Sequence, residues 1–117
     1  MDVTCIVPQI ELDIVYLAVS LLDMQNVQRI DFSGLDNARL DIDEMEPTMV
    51  PSFLLSKQTV NCFMLAGTIN QKEELLIVVY YDLAGNYIGK AALYYGDVAF
   101  EKKAGESTWQ YTLSQLL

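Results

Sequence analysis

The stretch DFSGLDNARLDIDEMEP, residues 31–47, holds Asp31, Asp36, Asp41, Asp43, Glu44 and Glu46, with Arg39 as its sole cation. Carboxylates at this density can ligate a divalent cation, serve as general acids and bases, or present a negative field to a basic partner. As calcium ligands, Asp41, Asp43, Glu44 and Glu46 fail the EF-hand spacing: Glu46 stands where the hinge glycine belongs, and no glutamate closes the loop. A small divalent-metal protein of another kind stays open as an alternative use of the same carboxylates.

Catalysis has little else to work with. The chain contains no histidine, which removes the commonest general base, the Ser-His and Cys-His nucleophile systems and imidazole-based zinc sites. Asp97 with Glu101, Lys102 and Lys103 has the acid and E-x-K grouping of metal-dependent nucleases. Such enzymes offer phosphate a basic surface, and this chain carries a net charge of −9. Its glycines form neither a G-x-G-x-x-G nor a Walker loop, and Lys90 follows the single Gly89. The expectation is a protein without enzymatic activity, metal or cofactor.

The charge is unevenly placed. Ten acids against two arginines leave residues 1–46 at −8, whereas six acids against five lysines leave residues 47–117 at −1. A field of one sign repels nucleic acid and anionic lipid and attracts basic proteins. No lysine or arginine precedes Arg29, so a secretory signal with a positive n-region is not expected, and the cytoplasm is the expected compartment. Cys5 and Cys62 sit in apolar segments without CxxC spacing, which predicts buried free thiols.

The elements that must position these residues follow from periodicity. At 117 residues with 52% hydrophobic content, the chain is expected to form one domain, 1–117, around one core. VTCIV at 3–7 reads as a short strand. Ile10, Ile14, Leu17, Ala18, Leu21 and Leu22 recur at helical steps, which predicts a helix over 9–24, with a strand as the competing reading of Ile10 to Ile14. VQRIDF and ARLDID alternate around the turn formers SGLDN, which predicts a β-hairpin over 27–43 with Leu40 and Ile42 inward and Arg39, Asp41 and Asp43 outward. Residues 46–52 read as a loop. Strands are expected at 59–69, 75–81 and 87–95, in an antiparallel meander, with a short strand in GDVAFE. Ser107 followed by Gln110 has capping-box spacing, and Trp109, Leu113, Leu116 and Leu117 give an apolar stripe, which predicts a short C-terminal helix. The expected fold class is α+β: a mostly antiparallel sheet of about five strands with an N-terminal and a short C-terminal helix.

Two further features have ordinary structural readings. YYDLAGNYIG resembles one tyrosine-aspartate unit of the repeat-shell toxins, but one copy makes no repeat. The expected role is a hairpin turn with Gly85 and Asn86 at positive φ. Tyr16, Tyr80, Tyr81, Tyr87, Tyr94, Tyr95 and Tyr111 can pack in the core or edges, or form the interface of a purely structural subunit.

In length, acidity and α+β pattern the chain resembles the small acidic bacterial DNA mimics, including those that bind histone-like nucleoid proteins. It is similar in the same respects to the immunity proteins that neutralise nuclease toxins. Neither resemblance supplies an aligned motif, so the contact residues come from the charge pattern: Asp31, Asp36, Asp41, Asp43, Glu44 and Glu46, with Asp23 and Glu11 as further contributors. The resemblance implies a monomer that touches neither nucleic acid nor membrane and competes with DNA for a basic nucleic-acid-binding protein.

Overall fold

A computed structural model describes residues 30–69 and 71–111. They form a six-stranded antiparallel meander in the order β1-β2-β3-β4-β5-β6. The strands are β1 (Ile30–Asp41), β2 (Thr59–Ile69), β3 (Glu73–Tyr81), β4 (Tyr87–Tyr94), β5 (Asp97–Lys103) and β6 (Gln110–Tyr111). The apolar run LLIVVYY lies in β3, as its β-branched and aromatic content favours. Between β4 and β5 the two loop residues Tyr95 (φ 52°) and Gly96 (φ 85°) are both left-handed. That is the backbone of the tight turn whose twist matches its flanking strands.

Three expectations are corrected. Among the described residues the only helical pieces are the 3-10 turns Ile42–Glu44 and Pro47–Met49, so this part of the chain is mostly β, not α+β. The hairpin over 27–43 does not form either: SGLDN runs inside one continuous β1. An eleven-residue partner, β2, lies alongside, so β1 gains more ladder pairs by extending than by folding back on itself. The surplus residue is absorbed as a bulge between Phe32 and Gly34. Finally, the C-terminal capping box is overridden, because Gln110 and Tyr111 pair with Glu101 and Phe100 of β5. The strand expected at 3–7, the helix at 9–24 and the residues after Tyr111 lie outside the described residues.

The sheet has two faces. On the first, Leu40 stands opposite Val60, Cys62 opposite Tyr80, Val78 opposite Ala91 and Leu93 opposite Val98, and these residues form one apolar cluster. The segment 42–58 is strapped across this face. Its ends are closed by the Ile42 N–H donating to the Gln58 carbonyl at 2.9 Å. It contributes Ile42 at its start and Pro51 and Leu54 in its middle, all buried, with Phe53 half-buried against Tyr80, rings edge-on at 5.8 Å. Gly89 makes room for that ring, since a Cβ there would stand 2.8 Å from Phe53 and from the Lys102 carbonyl. The second face buries Leu65, Leu75, Ile77, Ala92 and Phe100.

Candidate functional site

Burial of Ile42 organises the acidic stretch. Ala38 and Leu40 pack on the first-face core and Ile42 is 4% exposed. The intervening Arg39, Asp41 and Asp43 are therefore turned outward, and all three are exposed. Glu44 and Glu46 follow, also exposed, in and after the first 3-10 turn. Asp41 and Glu46 precede the two 3-10 turns, and neither uses its carboxylate to cap the turn that follows. Four exposed carboxylates thus fall within six residues at the corner of the sheet where β1 ends.

The remaining expected contact residues do not join that corner. Asp36 is exposed, but it lies opposite Met64, on the first-face register, whereas Asp41 lies opposite Thr59, on the second. Its carboxylate also accepts a hydrogen bond from the Asn37 N–H at 2.9 Å. Asp31 pairs with Thr68 in the backbone ladder, ten residues up the same strand from Asp41 rather than on a facing one. Glu11 and Asp23 lie outside the described residues. The even row expected from a hairpin is thus not formed, and the exposed acids that stay together are those at 41–46.

Beside the corner lies a depression of about 330 Å³, lined by Ile42, Met45, Pro47, Val50 and Leu54 together with Asp43 and Ser56. A mostly apolar lining that includes a carboxylate suits a long cationic side chain, whose methylene stem packs while its charge meets the acid.

Other candidate chemistry is dispersed. Asp97 pairs with Tyr94 and Glu101 with Ala91, which places them on opposite faces, so the nuclease-like grouping is not assembled. Glu101 is 7% exposed and works as an anchor: its carboxylate accepts the Ser52 N–H at 2.9 Å and the Ser52 hydroxyl, fixing the strap to β5. Among the described residues no three His, Cys, Asp or Glu side chains are placed to hold a metal ion. Cys62 is a buried free thiol, as expected, and burial pushes its pKa up despite a lowering backbone hydrogen bond at Ala38; Cys5 lies outside the described residues. Tyr80 is 1% exposed, and its hydroxyl is pushed well above the usual tyrosine range, first by burial.

The β3–β4 turn confirms its structural reading in part. Gly85 has φ 90°, but Asn86 is not left-handed. Asn86 instead donates its N–H at 2.8 Å and its side-chain amide at 3.0 Å to the Asp82 carboxylate, which also accepts the Ala84 N–H at 3.0 Å. The tyrosines form separate ring pairs, Tyr81 with Tyr87 and Tyr94 with Tyr95, and Tyr111 packs on Phe100.

Compared with protein-family models, with curated proteins and with solved structures, the chain matches none. Among the described residues no helix is long and apolar enough to cross a membrane.

Proposed function

We propose that this chain is a non-enzymatic acidic binding protein that engages a basic nucleic-acid-binding protein and competes with DNA for it. The observation that supports this reading is the corner itself: Asp41, Asp43, Glu44 and Glu46 are all exposed within six residues, beside an apolar depression that fits a lysine or arginine stem. Duplex DNA presents its partners one charge per about 1.7 Å of axis. Clustered carboxylates on a folded scaffold offer a DNA-binding surface a comparable field, and the −9 net charge steers the encounter from a distance. The corner is shorter than an extended phosphate row, so it matches a local cluster of cations. Asp36 then contributes to the long-range field rather than to the contact.

The test is capture from cell lysate on the immobilised chain, with elution by a salt gradient and by duplex DNA. A nucleic-acid-binding protein released by rising salt and displaced by duplex supports the reading. If that protein is a nuclease toxin whose activity is blocked, the chain acts as an immunity protein through the same corner. A captured protein indifferent to both salt and DNA overturns the competition mechanism.

A further inference from the structure

The second face carries a feature of opposite sign beside the acidic corner. Arg39 is the only cation between Arg29 and Lys57, and it stands on that face because Ala38 and Leu40 pack on the other. The register sets it in one row with Asn61 and Tyr81, and sets Asn37, Phe63 and Val79 in the next. These six residues line a depression of about 660 Å³, within the ~300–1,000 Å³ usual for small-molecule sites.

The chemistry of the lining is specific. Arg39 offers a planar fork of donors that matches a carboxylate or phosphate in bidentate fashion. Phe63 and Val79, both half-buried, give an apolar floor, and Tyr81 walls it with a ring steadied by Tyr87 edge-on at 6.1 Å. Asn37 and Asn61 each bring a side-chain donor and acceptor to the same depression. Adjacent strands lie ~4.8 Å apart, so Arg39 and Tyr81, two strands distant, are separated by ~10 Å at the backbone. An aromatic ring bearing one oxyanion spans that interval, with its charge at Arg39 and its ring against Phe63 and Tyr81. We propose that this end of the second face is a binding site for a small aryl oxyanion, a ring that carries a carboxylate or a phosphate.

Asp41 gives the proposal a second handle. It lies two residues beyond Arg39 on the same face, roughly 6.8 Å along the strand, and its charge opposes an incoming anion. Neutralising it is therefore expected to strengthen binding at this site while weakening the acidic corner, a reversal of sign that separates the two.

The experiment is a titration of the full chain with phenyl phosphate, followed by NMR through the side-chain amides of Asn37 and Asn61. Benzoate, inorganic phosphate and phenol are the comparison probes. Saturable shifts at both asparagines are expected, with affinity lowered roughly tenfold or more in Arg39→Gln, which loses a charge-assisted hydrogen bond, and raised in Asp41→Asn. Arg39 is exposed, so an unchanged amide spectrum elsewhere will show that the Arg39→Gln fold is intact. The ranking of benzoate against phenyl phosphate identifies which oxyanion the site prefers. The proposal is overturned if neither asparagine shifts, if Arg39→Gln binds as well as the natural chain, or if inorganic phosphate or phenol binds as tightly as phenyl phosphate.

Discussion

Replacing Ser52 with alanine removes one hydroxyl from the strap and tests whether the Glu101 anchor holds the first face closed. Glu101 is 7% exposed, and its carboxylate takes two hydrogen bonds from Ser52, one from the backbone N–H and one from the hydroxyl. Ser52→Ala keeps the first and deletes the second, leaving an oxygen of the buried Glu101 carboxylate short of a donor. A buried acceptor left unsatisfied in this way costs about 1–3 kcal/mol. Urea unfolding of a small domain has a slope of ~1–3 kcal/mol/M, so the midpoint is expected to fall by about 1 M with the slope unchanged. Fluorescence of Trp109, the single tryptophan, reports the transition. Hydrogen exchange at Leu54, whose N–H is bonded to the Pro51 carbonyl at 3.2 Å within the strap, should accelerate before exchange in β3 does. A midpoint shift under ~0.3 M, with Leu54 exchange unaltered, would refute the anchor. The strap would then be held by burial of Ile42, Pro51 and Leu54 alone.

Gly89→Ala places a methyl 2.8 Å from both the Phe53 ring and the Lys102 carbonyl; overpacking of that kind costs about 1–3 kcal/mol, and Phe53→Leu in the same chain should recover part of the loss in a thermal melt. Asp82→Ala should lower the melting temperature at neutral pH, because hydrogen bonds from the Asn86 backbone and side chain hold the Asp82 carboxyl below its usual range. A depressed folded pKa contributes stability above the unfolded value and loses it as pH falls through the folded one, so the gap between natural and variant chains should close in acid. Cys62, buried with its pKa raised, should resist iodoacetamide in the native chain and react once urea exposes it, as read by mass at the Cys62 peptide.

The meander from β2 to β5 was legible because its signals are local: alternating β-branched and aromatic residues, broken by short polar turns. The same alternation placed Leu40 and Ile42 inward and exposed Arg39, Asp41 and Asp43. What failed were local signals opposed by distant partners. SGLDN has turn-forming composition, but pairing along the length of β2 outweighs it, and the consequence is functional, since Asp36 then falls on the register of the other face. Ser107 and Gln110 have capping spacing, yet β5 recruits Gln110 as a strand residue. Glu101 looked like half of an E-x-K grouping because nothing near it in sequence announces Ser52, a partner 49 residues away. The anion-binding end of the second face was equally hidden: Arg39, Asn61 and Tyr81 become neighbours only through strand register.

The most direct test of the acidic corner is the association rate with the captured basic partner, measured across a salt series for the natural chain and for Asp41→Asn, Asp43→Asn, Glu44→Gln and Glu46→Gln combined. Four neutralisations take the net charge from −9 to −5 and leave the buried Ile42 untouched. Association is expected to be slower by roughly tenfold or more at low salt, with a shallower salt dependence and displacement of the partner by less duplex DNA. An unchanged rate and an unchanged salt slope would contradict the proposed contact and assign the carboxylates to solvation of the β1 edge.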